Sequence, residues 1–149
     1  MKIILLFGIW CLLSIGACDA QCNSSLWKHV YHPERFIKYG CRTVTGVVAL
    51  IRPHEKDGDF HVCLKLDKGQ PRYLNQKNMD HQRGCLVLEI ICISPVTQQD
   101  AIRPCKKCPQ PVKCPKKGDH IKVTGTFVTD TDGGHGWNEI HPVSTIEKL

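Results

Sequence analysis

After its first fifteen residues the sequence contains no second long apolar run, which leaves no candidate for a membrane-spanning helix further along the chain. It shows no internal repeat, which excludes solenoids and propellers, and no G-x-S-x-G, which excludes the serine nucleophile elbow of the α/β-hydrolases. Aromatic residues are sparse, at 7% of 149, which weighs against the series of stacking platforms that single-stranded nucleic acid requires. Carboxylates are nearly missing from one stretch: between Arg103 and Lys122 only Asp119 is acidic. The remaining composition, 42% hydrophobic and 23% charged, is that of one compact globular domain. Ten cysteines in so short a chain point to an oxidising compartment or to metal binding.

Lys2 followed by the nearly unbroken apolar run Ile3 to Ile15 has the length and polarity of a secretory signal peptide and is too short to span a bilayer. The small residues that follow set cleavage after Cys18 or after Ala20, so residues 1–20 are read as leader and the mature chain as starting near Gln21. The alternative is a bacterial lipobox, Ile15-Gly16-Ala17-Cys18, with a lipid anchor on Cys18 and an envelope location. Either way eight cysteines remain (Cys22, Cys41, Cys63, Cys85, Cys92, Cys105, Cys108 and Cys114), and an even count fits four disulfides. Asn23-Ser24-Ser25 is a glycosylation sequon, which fits a secreted, extracellular glycoprotein.

Loss of the leader removes one base, Lys2, and one acid, Asp19, so the net charge stays at +6. The excess gathers in Arg103, Lys106, Lys107, Lys113, Lys116, Lys117 and Lys122, interleaved with prolines in a cysteine-, lysine- and proline-rich loop at 103–118. Such a patch attracts an extracellular polyanion at long range, or is simply a solvated loop held by its cysteines. Cys105-x-x-Cys108, with Cys114 and Cys92, also has the residues of a thiolate zinc site or a redox dithiol. Export and the surrounding prolines favour structural disulfides instead, with Cys92 and Cys105 bracketing a short helix as the best candidate pair.

Residues 21–40 form an aromatic-bearing lead-in without clean periodicity, and residues 41–149 carry the strand signals. Thr43 to Arg52 is β-branched and ends at Pro53, while Asp59 to Leu66 alternates strictly, with the hairpin signal Asp57-Gly58 between them. Cys85 to Ile93 is apolar on both faces except at Glu89 and is expected to be buried between neighbours. A short helix near Thr97 to Ile102 precedes strands at His120 to Thr129 and Trp137 to about Ile146. Three strands, a short helix and two more strands are the element order of an OB-fold. The expectation is an all-β, disulfide-stabilised, OB-fold-like five-stranded Greek-key barrel with one short helix, a β-sandwich being the alternative. Gly46 and Gly125 fall where barrel strands must bend.

Alternation places Trp137, Glu139 and His141 on one face of the last strand, and His61 opposite the apolar set of the second. His54 lies in the loop between strands one and two, and Asp130, Asp132 and His135 in the loop between strands four and five. These two loops flank the binding face of an OB-fold. The expected ligand-binding face is therefore His54, His61, Glu89, Asp132, His135, Trp137, Glu139 and His141. No dedicated metal signature is present and no cofactor is required. The candidate ligands for a divalent zinc, copper or iron ion are His61, His135, Glu139 and His141, with a carboxylate from Asp132 or Glu89 as an alternative to Glu139.

Cys41-Arg-Thr-Val-Thr-Gly46, Asp57-Gly-Asp-Phe-His61, Leu86-Val-Leu-Glu89, Pro95-Val-Thr-Gln-Gln-Asp-Ala-Ile102, Val123-Thr-Gly125 and His135-Gly-Trp-Asn-Glu-Ile-His-Pro142 together resemble a family of small exported β-rich proteins. The likeness runs from about Tyr31 to Ile146, and its specific part is the closing His-Gly-Trp-x-Glu-Ile-His-Pro. It implies a compact exported β domain and no particular reaction, and the Cys-Lys-Lys-Cys-Pro loop departs from it.

Three functions compete. The first is a secreted, non-enzymatic OB-like module for an extended polar or anionic ligand: a glycan, a matrix component or nucleic acid. The second is a secreted metal-assisted hydrolase using the His61, Glu139 and His141 face, with histidine and carboxylate as acid and base. The third is an OB-fold inhibitor resembling the netrin and tissue-inhibitor group, from which the cysteine pattern departs.

Overall fold

The computed structural model describes residues 21–53, 55–109 and 112–149; residues 1–20, with the leader and lipidation readings made on them, and the candidate His54 lie outside them. Five strands close into a barrel: β1 (Phe36–Arg52), β2 (Phe60–Leu66), β3 (Leu86–Ile90), β4 (His120–Asp130) and β5 (Asn138–Lys148), in ring order β1-β2-β3-β5-β4. All neighbours run antiparallel except β3 and β5, which are parallel. Ring closure distinguishes this OB-type connectivity from a sandwich, which would leave two sheets with open edges.

Strict alternation in β2 sends Phe60, Val62 and Leu64 inward, where they meet Leu86, Leu88 and Ile90 of β3, Val44 and Val48 of β1, Ile121 and Val123 of β4 and Ile140 of β5. β3 is buried on both faces, as its composition implied, and Glu89 lies on its outer side. β1 is longer than the sequence signal because it serves two neighbours. Its first part, from Phe36, pairs with β4, and its last part, to Arg52, pairs with β2. The hand-over falls at Gly46, which is opposite both Leu66 and Ile121; a Cβ there would stand 2.3 Å from the Lys65 carbonyl oxygen. Gly125 marks a similar close approach between β4 and β5. The register shifts on both sides of it, and a Cβ would stand 2.4 Å from Ile140 Cγ2.

The expected helix follows β3 as a 3-10 turn, Gln99–Ala101, running into α2 (Ile102–Cys105). A second short helix, α1 (Gln76–His81), interrupts the β2–β3 connection and was not anticipated, because QKNMDH has no apolar stripe. Polar wiring replaces that stripe. Asn75 and Asn78 form a reciprocal capping box, and the fully buried Asn78 amide also donates to the carbonyls of Cys85 and Asn138 while accepting the Asn138 N–H.

Three disulfides staple the fold: Cys22–Cys41, Cys63–Cys85 and Cys92–Cys105, the last joining the end of β3 to α2. Among the described residues the fourth bridge expected from the even count is not formed. Cys108 packs against an apolar cluster outside the barrel and Cys114 against the one inside it, so the two thiols serve different layers.

That outer cluster explains the lead-in. A 3-10 turn, Ser24–His29, lays Leu26 and Val30 on Phe36, Ile91, Cys92 and Val128, with Trp27 packed beside them. The segment is tied down by the Cys22–Cys41 bridge, by the Asn23 N–H donating to Ser144 Oγ at 3.0 Å and by Trp27 Nε1–H donating to Thr126 Oγ1 at 3.1 Å. Asn23, the sequon residue, is exposed and caps the turn. Among the described residues no helix is long and apolar enough to cross a membrane.

Candidate functional site

A cleft of about 680 Å³ opens on the barrel's outer wall between the β1–β2 loop and the β4–β5 loop. Of the residues expected to form a binding face, His61, Asp132, His135 and Trp137 line it. The lead-in adds Tyr31, His32, Glu34 and Arg35, and the first loop adds Arg52, Glu55, Lys56 and Asp57. These were missed for different reasons. Arg52 to Asp57 flank the loop in which His54 was singled out, whereas nothing in the periodicity of the lead-in places it beside the β4–β5 loop.

The β4–β5 loop is organised by Asp130, a buried carboxylate. His135 Nδ1 lies 2.6 Å from its Oδ2, Arg35 reaches the same oxygen at 3.4 Å, and its Oδ1 accepts the Asp132 N–H at 2.9 Å. His135 in turn stacks on the Trp137 indole with centroids 4.2 Å apart. Helix α1 buttresses the loop from behind. The Asn75 amide donates to the Gly136 carbonyl at 2.8 Å, and Asn78 brackets the backbone of Asn138, so Trp137 is held between two anchored residues. Across the cleft, the Tyr31 hydroxyl donates to Asp100 at 2.6 Å and accepts from the Gln98 amide.

The other three described members of the expected face, Glu89, Glu139 and His141, lie on the outer wall as alternation requires, yet each is at most 3% exposed. For His141 the lead-in is the reason. His141 is shut in by Phe36, with ring centroids 4.5 Å apart, and by Trp27 stacked at 6.4 Å. Burial has electrostatic consequences. It pushes Glu89 well above the usual carboxylate range, reinforced by the charge of Glu139, and does the same to Asp59, reinforced by Glu89 and Asp57. Burial and the neighbouring Asp130 raise Glu139 to about 7, while burial, Arg35 and His61 lower His141 to about 3, leaving its imidazole neutral.

One contact between cleft and buried layer is made by His61, whose Nε2 is 2.6 Å from Glu89 Oε1, its cross-strand neighbour. The expected metal quartet is not gathered at one point: His135 is engaged by Asp130, and Glu139 stands behind His141, which meets it through Nδ1 at 3.3 Å. Among the described residues the donor atoms that do converge are those of Asp59, Glu89 and His141, all within 4.8 Å of one another, and those of Asp59 with Cys92 and Cys105, which are tied up in a disulfide. Asp59 escaped sequence reasoning because it opens a strand beside a turn, where an aspartate ordinarily serves the backbone.

The seven basic residues expected as a patch do not line the cleft. Lys116 and Lys117 are exposed near the start of β4, and Lys122 is paired along the sheet with Glu147 at 2.7 Å. Fold and site together define a disulfide-stapled OB-type barrel with a mixed-charge cleft between its β1–β2 and β4–β5 loops. No family model, curated protein or solved structure matches the chain.

Proposed function

We propose that the chain is a secreted, OB-type binding module whose cleft takes an extended, polar glycan. The observation that carries this reading is the lining of the cleft. Arg35, Arg52 and Lys56 face Glu34, Glu55, Asp57 and Asp132, with Tyr31 and Trp137 among them, between the two loops that OB-folds use for oligosaccharides and oligonucleotides. Hydroxyl-rich ligands both donate and accept, so they suit a wall of both signs, and sugar rings present apolar faces to an indole. A polyphosphate chain would meet four carboxylates. The leader-like segment and three disulfides support export to an oxidising compartment, and the basic loop supports a secondary, steering role toward anionic matrix.

Titration calorimetry with a neutral oligosaccharide, a sulfated oligosaccharide and a single-stranded oligonucleotide tests the proposal. The expected result is binding of an oligosaccharide that Arg52→Ala and Trp137→Ala each weaken at least about tenfold. Binding that survives both changes but is lost on combining Lys116→Ala with Lys117→Ala would transfer the function to the basic loop. A second reading, metal-assisted hydrolysis in the same cleft, is favoured by the contact of His61 with Glu89. Its sign would be cleavage of a bound oligosaccharide, abolished by His61→Ala.

A further inference from the structure

We propose that Asp59, Glu89 and His141 form a buried site for one divalent first-row transition cation, of the zinc or manganese class, on the outer wall of the barrel. The proposal stands apart from the glycan reading and uses a donor set different from the one the sequence suggested. Three donors, one from each of the three residues, lie within 4.8 Å of one another, a spacing that a single ion at ordinary metal–ligand distances can bridge. Two of the three side chains carry an atom with no partner: Glu89 Oε2 and His141 Nε2 are both buried and unbonded. A buried polar atom without a partner is rare, and two belonging to the same three-residue cluster require a shared explanation.

The surrounding contacts have the form of an outer shell that orients metal ligands. His141 Nδ1 faces Glu139 Oε2 at 3.3 Å. An N–H donated there fixes the tautomer and leaves the Nε2 lone pair for the cluster. Glu139 is itself held by Trp137, whose indole N–H donates to its Oε1 at 2.5 Å. Glu89 Oε1 is engaged by His61 Nε2, which leaves Oε2 as the free oxygen. Asp59 Oδ1 accepts the Cys92 N–H at 2.9 Å. Among the described residues no lysine or arginine is paired with Asp59 or Glu89. Two carboxylates and a neutral imidazole make a donor set that a divalent ion neutralises, and nitrogen with two oxygens suits zinc or manganese better than a thiolate-seeking ion.

The experiment uses the disulfide-bonded protein made through an oxidising secretory route, stripped with chelator and titrated with Zn²⁺ and, separately, Mn²⁺. Calorimetry should give one equivalent per chain for at least one of them. With Zn²⁺, side-chain ¹⁵N spectra should show the His141 Nε2 resonance move to a metal-bound position. Glu89→Gln and Asp59→Asn should each weaken binding more than about 100-fold, beyond the loss usual for an outer-shell change. His120→Ala, at an exposed pair with Asp67, should bind as the parent does. Absence of binding by the parent protein, unchanged affinity in Glu89→Gln, or a Zn²⁺-induced shift at another histidine in place of His141 would overturn the proposal. The spectra of the parent protein decide the matter even if a variant fails to fold. Oligosaccharide titrations on the same stripped and loaded samples report separately on the cleft.

Discussion

The molecule has two buried layers built on opposite principles. Inside the barrel the large fully buried side chains are aliphatic, among them Val62, Leu64, Leu88, Ile121 and Val123. On the outer wall, Leu26 and Val30 of the lead-in share their burial with Asp59, Glu89, Asp130, Glu139 and His141. The inner layer is closed by strand pairing on all sides and contributes stability in proportion to apolar area removed from water. In the outer layer ionisable groups are buried, and the segment that covers His141 is itself held by one disulfide and a few side-chain hydrogen bonds. Such an arrangement spends stability on shifted protonation states, and groups of that kind concentrate where binding or chemistry occurs.

Leu88→Ala tests the inner layer and carries the largest expected effect, a loss of about 4 kcal/mol from global stability, because a closed barrel cannot collapse around the missing side chain. Its denaturation midpoint measures this directly. Leu26→Ala removes the same atoms from an equally buried site in the outer layer, and the expected loss is about 2 kcal/mol, since the lead-in can settle into the space. Hydrogen exchange should then show faster opening at residues 24–30 with protection of β2 and β3 retained. Equal losses in the two variants, with uniform exchange, would mean that the layers unfold as one unit. The smallest effect is expected from Lys116→Ala with Lys117→Ala, both solvated, which should leave the midpoint unchanged within the scatter of the measurement.

Much of the inner layer was legible in the sequence. The alternation of Phe60, Val62 and Leu64, the two-faced apolarity of Leu86 to Ile90 and the turn at Asp57-Gly58 are local signals, and each reflects geometry that a strand or turn imposes on its own residues. Gly46 and Gly125 were readable for a related reason: a missing side chain in a strand marks close backbone approach. Helix α1 was not, because its stabilisation comes from Asn78 bonded to Asn138, 60 positions away, and a polar hexapeptide gives no hint of that partner. The candidate site was half legible. His61, Asp132, His135 and Trp137 reached the cleft as the two loops of the expected barrel required.

The sequence by itself determined the facing of the residues in the strands it signalled, the five-strand order, the supply of cysteines for staples and the two loops between which the cleft opens. These depend on interactions between residues near in the chain or on the period of a strand. Only the tertiary structure decided that Glu89, Glu139 and His141, outward by alternation, would be buried, His141 beneath Trp27 and Phe36, that Asp59 would join them, and that Tyr31 and Arg35 would wall the cleft. It also decided that Cys108 and Cys114 would remain apart in different apolar layers. Alternation fixes the side of a sheet to which a residue points; solvent access on that side depends on which distant segment packs there, and that is set by the whole fold.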